Sequence, residues 1–526
     1  MAISLAAGPV TSGTASADSS PFVGQRPVVT TEDGDVRGTL KAQYAEFKGI
    51  PYAKAPVGEL RWRAPQEPDS WPGVRDATQF GGSCTQGSGW DPGYEEPTYN
   101  EDCLNLNVYS PASPRIENDR EDGLPVLVWI HGGGNRGGAG RDTFPARFVE
   151  ETQTVFVTLN YRLGALGYLD TAALDAESAG DGSAGNYGIL DQQMALRWVR
   201  DNIAAFGGNP ADVTIAGQSA GGSNTCTHLA APASRGLFQR AIIQSGGCSG
   251  RTEEAAQSDG AAFAERLGCV DPASQTACLR SKTPEEVLAA QGNFSGGAVV
   301  DGTVVPQDPR EALRQGRVAQ VPVLIGSNSD ESQQSVFGAY DYQGNPLTPE
   351  GYESLVRSTY PAVADRVLAE YPVADHESPT VAWGTVQSDA RACRDESLFA
   401  DFARVLPTYA YEFAEREGPA FTSIWRLDTD YPFGATHVNE LGYLWDYLGT
   451  HLPFSNEQED LSSLMGLYWA QFTDTGDPNA PTAPAWPLLQ DSGALMQFTA
   501  AESRMIPIEA HAAAHHCGLW SPVVNS

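Results

Sequence analysis

Ser219 stands in the stretch VTIAGQSAGG, residues 213–222, where a short apolar run meets a serine fenced by glycines. A bend that tight suits a hydroxyl that must be held out as a nucleophile. In isolation a glycine-rich turn with a solvated serine reads the same way, and with 55 glycines in the chain a lone G-x-S-x-G arises readily. A serine is a weak nucleophile until a base takes its proton, and that base is typically a histidine oriented by a carboxylate. The chain has only 8 histidines, and His437, in GATHVNELGYLW at 434–445, is the best placed of them. Its His-x-x-Glu pair would suggest a metal, but no further ligands accompany it. Residues 325–332, IGSNSDES, offer two carboxylates, Asp330 and Glu331, which give the chain order serine, acid, histidine. A second glycine-rich stretch, WIHGGGNRGG at 129–138, can turn several backbone N–H groups into one space, as stabilising an oxyanion requires. The chain contains no Gly-Lys pair, so a phosphate-cradling P-loop is excluded.

Each of these stretches sits at the end of an apolar run. LPVLVWIHGGG (124–134), TVFVTLNYRLG (154–164), DVTIAGQSAGG (212–222), RAIIQSGG (240–247) and VPVLIGSNSD (321–330) are short β-rich segments that end in glycine or polar residues. Helical patterns such as ILDQQMALRWVRDNIAAF (189–206) lie between them. Strand, loop and helix in alternation predict an α/β fold: a large, mostly parallel sheet with helices on both faces. Functional groups in such sheets gather at the carboxyl ends of the strands. Residues 28–40 and 44–53, VVTTEDGDVRGTL and YAEFKGIPYA, predict an N-terminal region of antiparallel hairpins. A strand over 213–216 followed by a helix places Ser219 at the apex of a strand-to-helix turn. There, Cβ atoms at 217 and 221 would strike neighbouring backbone.

The formal charge of −33 argues against a nucleic-acid partner, whose phosphates need basic side chains, and against docking on anionic membranes. No apolar run is long enough to span a bilayer. The first 17 residues, with Ala15-Ser16-Ala17, suggest the remnant of a signal peptide, although no basic segment precedes the apolar stretch. Residues 18–526 then form a single domain without internal repeats. The 8 cysteines include no C-x-x-C pair, and an even count beside an export signal favours disulfides in a secreted protein. Cys269 and Cys278 are close enough in sequence to close a small loop.

The blocks FKGIPYAKAPVGELRW, EDCLNLNVY, WIHGGG, NYRLGALGYL, the long run from Asn186 to Gly222, GATHVNEL, YWAQFTDTGDPN and HHCGLW occur in this order along nearly the whole chain. In them the chain resembles the type B carboxylesterase and cholinesterase family of α/β-hydrolases. The resemblance implies hydrolysis of carboxylic esters through an acyl-enzyme, with Ser219 as nucleophile, His437 as base and Glu331, the second member of the Asp-Glu pair, as acid. It implies an oxyanion hole from the N–H groups of Gly133, Gly134 and Ala220, and no metal or organic cofactor. It also implies disulfides Cys84–Cys103, Cys269–Cys278 and Cys393–Cys517. Cys226 and Cys248 are left over as a fourth candidate bridge. The expected partner is a small-molecule ester acted on by a monomer.

Three departures from the family pattern bear on the substrate. Gln218, a candidate pocket residue, replaces the usual Glu before the nucleophile, so a preference for cationic substrates is not expected. Asn135 and Arg136 follow the glycine triplet where the family begins with Phe, so both are candidate pocket residues, and Arg136 could pair with a substrate carboxylate. Ser332 replaces the glycine that often follows the acid. Residues 84–103 enclose a short acidic segment poorly suited to an amphipathic lid, which favours short- to medium-chain or aryl and alkyl esters over the longer, water-insoluble esters of a lipase. A catalytically inactive binding protein of the same fold is the reading from another class.

Overall fold

The computed structural model describes residues 26–88, 96–112, 122–178, 183–292, 294, 296–421, 427 and 429–524. Its frame is an eleven-stranded sheet. In chain order the strands are β1 (Thr39–Leu40), β2 (Tyr44–Pro51), β3 (Asn105–Pro111), β4 (Leu124–Ile130), β5 (Val155–Leu159), β6 (Gly208–Gln218), β7 (Arg240–Gln244), β8 (Val323–Asn328), β9 (Thr408–Phe413), β10 (Ala494–Phe498) and β11 (Arg504–Pro507). They lie side by side in the order β11-β10-β9-β8-β7-β6-β4-β5-β3-β2-β1. From β5 across to β10 every pairing is parallel, and the flanking pairs are antiparallel.

Strands β4, β5 and β7 to β9 are rich in Val, Ile, Leu and aromatic residues because both faces are covered by helices, so nearly every position is buried, as is β6 from Val213 onward. One layer includes α1 (Tyr187–Asn202), α2 (Ala220–Ala230) and α3 (Pro379–Ala403), whose Leu196, Leu229 and Phe399 belong to one core cluster. Helix α4 (Asn456–Thr475) packs its Trp469 and Phe472 into the core on the other face. The expected hairpins are present: Val28–Thr31 pairs with Gly34–Arg37, and β1 with β2, all antiparallel. A third short strand, Val74–Asp76, adds in parallel to the first hairpin. β6 begins five residues earlier than its apolar core suggests, at Gly208, with a register shift before Val213.

β4 and β6 are neighbours, yet the chain leaves β4 toward β5 on one side and β6 toward β7 on the other. Connections that depart in opposite directions open a crevice at the carboxyl ends of the two strands. Into it run Gly132–Gly134 from β4 and Ser219 from β6.

Candidate active site

Ser219 occupies the single residue between β6 and α2, with φ 57° and ψ −122°. A non-glycine residue at positive φ costs on the order of 1–3 kcal/mol and persists only where its surroundings enforce it. Here the Ser219 N–H donates to the Gln244 carbonyl at 2.8 Å, and the glycines let the strands close around the turn. A Cβ on Gly221 would lie 2.0 Å from the Ile130 carbonyl oxygen, and one on Gly217 would lie 2.4 Å from the Gly221 carbonyl carbon. The turn brings the serine to the amino end of α2, where the helix dipole favours negative charge.

The loop after β4 supplies the facing wall. Gly133 and Gly134 adopt φ 94° and 63°, and among the described residues their N–H groups donate to nothing else. Arg136 N–H and Gly137 N–H both donate to the Gly133 carbonyl, which curls the loop over Ser219. Asn135 follows at φ 55° with its side chain turned inward. Its Oδ1 accepts from Asn224 Nδ2 at 2.9 Å and from Tyr161 Oη at 3.2 Å, so its amide braces the loop. Arg136 is exposed and donates from Nη2 to the Gly292 carbonyl at 2.6 Å.

Glu331, just past β8, is buried. Its Oε2 lies 2.5 Å from His437 Nδ1, and its Oε1 accepts the Asn328 N–H at 3.0 Å. Burial opposes ionisation here, but Arg391, at 3.5 Å from Oε2, and His437 outweigh it and draw the Glu331 pKa down to about 2. Asp330 points elsewhere: its Oδ2 accepts from Arg416 Nε and the Ala435 N–H, at 2.9 and 3.0 Å, and so pins the loop that carries His437. With the imidazole proton on Nδ1 toward Glu331, Nε2 is left as an acceptor. It lies 3.2 Å from Gln218 Nε2, so the Gln218 amide occupies the nitrogen that would take a proton from Ser219. Gln218, which lines the pocket, therefore also touches the imidazole directly.

A cavity of about 790 Å³ opens on this group, lined among others by Ser219, His437, Gly133, Arg136, Trp129 and Phe421. The arrangement offers a serine hydroxyl at the apex of a turn, an imidazole held by a carboxylate, and backbone N–H groups of a glycine loop on the same cavity. Chemically, this suits acyl transfer. Outside it, Glu412, His511 and His515 place ligand-type atoms within 4.8 Å of one another. His515 is clamped between Asp389 and Glu412 at 2.7 and 2.6 Å, and despite its burial these carboxylates raise its pKa to about 10, as in an ion-paired cluster. The cysteines are bonded as Cys84–Cys103, Cys226–Cys248, Cys269–Cys278 and Cys393–Cys517.

Glu440, the second member of the His-x-x-Glu pair, lies behind the site. Its Oε2 accepts from Asn328 Nδ2 at 2.7 Å and its Oε1 from Gln244 Nε2 at 3.3 Å. Burial, and then the charge of Glu331, raise its pKa from 4.5 to about 7. Between these values the folded protein holds a proton that the unfolded chain has lost, so this contribution to stability falls as pH rises through the window. Glu440→Gln should therefore lose less stability than the parent between about pH 5 and 7.5, by an amount on the order of 1 kcal/mol, in urea titrations at several pH values. A parallel pH dependence for both proteins would show that Glu440 is ionised throughout.

The sheet order, with a strand-to-helix serine turn facing a glycine-rich loop, defines an α/β-hydrolase. Residues 25–520 match the model of the carboxylesterase family. The chain is 34% identical to a pyrethroid hydrolase of Mus musculus, over 90% of this chain and 88% of the relative. It is 33% identical to para-nitrobenzyl esterase of Bacillus subtilis (strain 168), over 88% and 92%, and 32% identical to acetylcholinesterase of Bungarus fasciatus, over 94% and 86%. The chain belongs to the carboxylesterase family, and it is a carboxylic-ester hydrolase.

Proposed function

We propose that Ser219 attacks the ester carbonyl while His437 Nε2 takes its proton, with Glu331 holding the imidazole in the required tautomer and stabilising its cation. The N–H groups of Gly133, Gly134 and Ala220 receive the oxyanion. The acyl-enzyme is then released by water that His437 activates in the same way. The observation that carries this reading is the 2.5 Å contact of Glu331 with His437 Nδ1, which leaves Nε2 as an acceptor at the carboxyl end of β6. Before reaction the Gln218 amide must yield Nε2 to the serine, a shift of the kind that substrate binding commonly completes. A fluorophosphonate probe should label one residue per chain, Ser219, and Ser219→Ala should abolish labelling. A native protein that resists the probe would instead be an inactive binding protein.

The substrates we infer are small short- to medium-chain, aryl or alkyl esters, and the protein acts outside the cell as a single domain. Four disulfides support an oxidising compartment, and among the described residues no helix is long and apolar enough to cross a membrane. A lid is not expected in the acidic segment between Cys84 and Cys103, of which residues 89–95 lie outside the described set. Hydrolysis of tributyrin should thus rise smoothly through its solubility limit. An abrupt jump as droplets form would favour the lipase reading.

A further inference from the structure

A second cavity, of about 550 Å³, meets the first at Ser219. Its walls include Gly134, Ser219 and Ala220, whereas His437 lines only the larger space. This asymmetry assigns the two arms of an ester. The histidine returns its proton to the leaving alcohol, so the alcohol must lie on the His437 side, in the larger cavity. The acyl arm then points into the smaller one.

The smaller cavity is unusual in its charge. Arg251, Arg310, Arg391 and Arg394 all line it, against the one carboxylate, Asp395, among the described lining residues. A chain with a net charge of −33 and only 33 basic residues thus gathers four guanidinium groups beside its serine. Three of them are anchored from behind: Arg251 by Asp259, Arg310 by Asp401 and Ser397, and Arg391 by Asp395 and the Ser245 carbonyl. Arg394 is held more loosely, 3.9 Å from Asp395 and 54% exposed at its side chain. The same wall carries Ser245, which is 4% exposed, with a hydroxyl that has no hydrogen-bond partner among the described residues. A buried hydroxyl of this kind at a cationic wall can donate to an acceptor from outside the protein.

Resting on the reading of Ser219 as nucleophile, we propose that this cavity receives an acyl arm ending in a carboxylate. The preferred substrates are then half-esters of dicarboxylic acids, with the free carboxylate among Arg394, Arg251 and Ser245. Hydrolysis forms the Ser219 acyl ester with loss of the alcohol, and water then returns the dicarboxylic acid and the free serine. The place foreseen for a substrate carboxylate, at Arg136, is in the wall of the alcohol-side cavity.

The test compares kcat/KM for p-nitrophenyl hemisuccinate, hemiglutarate and hemiadipate with neutral p-nitrophenyl acyl esters of matched length. At one or more lengths the anionic ester should be favoured at least tenfold, and the ratio should fall as salt is raised. Arg394→Gln and Arg251→Gln should each lower that ratio about tenfold or more, and Arg394→Glu should invert it. Both positions carry exposed or surface-paired side chains, and circular dichroism checks that each variant is folded. Equal rates for the two ester series in the native protein would overturn the proposal. So would a ratio that responds to Arg136→Ala and not to Arg394→Gln. Neutral-ester hydrolysis with probe labelling but no anionic preference sinks this inference alone, while absence of labelling sinks the nucleophile assignment as well.

Discussion

Ser219→Ala is expected to remove at least three orders of magnitude of kcat/KM, His437→Ala about as much, and the double variant little more, because the groups act as one unit. None of these changes should unfold the protein: Ser219 and His437 are partly exposed, and Ala tolerates the vacated space. The informative contrast lies between two adjacent carboxylates. Glu331→Gln replaces the acceptor 2.5 Å from His437 Nδ1 with an amide that can present its NH₂ there, which favours the wrong tautomer and removes one of the two buried carboxylates beside Arg391, the other being Asp395. A loss of about a hundredfold or more in kcat follows. Asp330→Asn keeps an oxygen for the Ala435 N–H and weakens the partly exposed pair with Arg416, so the His437 loop loosens without losing its acid. The cost there should stay below about tenfold. Steady-state kinetics on a soluble ester decides the matter: a larger loss for Asp330→Asn than for Glu331→Gln would transfer the acid role to Asp330.

What the sequence made legible follows from locality. The parallel strands are apolar runs that end in glycine or polar residues, and the turn at Ser219 is a steric demand written at 217 and 221, so the fold and the candidate nucleophile can be read within a few residues. His437 and the Asp330-Glu331 pair stand out because histidines are few and chain order limits the choice. The supporting groups have no such local mark. Asn328, Gln244 and Glu440 meet behind the site from three separate segments, and Arg391 lies in a 25-residue helix where charges read as a solvent face. Gln218 reads from the sequence as a pocket residue that deletes a charge, whereas its amide also contacts His437 Nε2, a relation that only the turn geometry creates. The arginine cavity draws on positions 251, 310, 391 and 394, whose spacing carries no period.

The second large effect concerns stability. Cys393–Cys517 closes a loop with a sequence separation of 124, against 9 for Cys269–Cys278. In the chain-entropy description the long bridge restricts the unfolded chain by roughly 5 kcal/mol and the short one by about 3 kcal/mol. Native contacts add to the difference. Cys393 sits in α3, and Cys517 opens the last helix, α5 (Cys517–Val524), whose Trp520 is fully buried and donates to Tyr371 Oη at 2.8 Å. Beside the bridge, the His515 imidazole ties this carboxyl-terminal segment to Asp389 of α3 and Glu412 of β9. With the bridge replaced by Cys393→Ala and Cys517→Ala, those contacts must hold the segment alone. Spread over the unfolding entropy of some 500 residues, a loss of about 5 kcal/mol lowers Tm by on the order of 5 °C, and calorimetry should find the smaller shift in the Cys269→Ala, Cys278→Ala protein. Activity should respond as well, because Arg391 lies two residues before Cys393 and reaches Glu331. A helix freed to shift at Cys393 moves the cation that keeps the acid ionised, so kcat should fall below the unfolding temperature in the Cys393, Cys517 variant only. If the small-loop variant instead proved the less stable or the less active, neither loop length nor the tether to Arg391 would govern what the long bridge does.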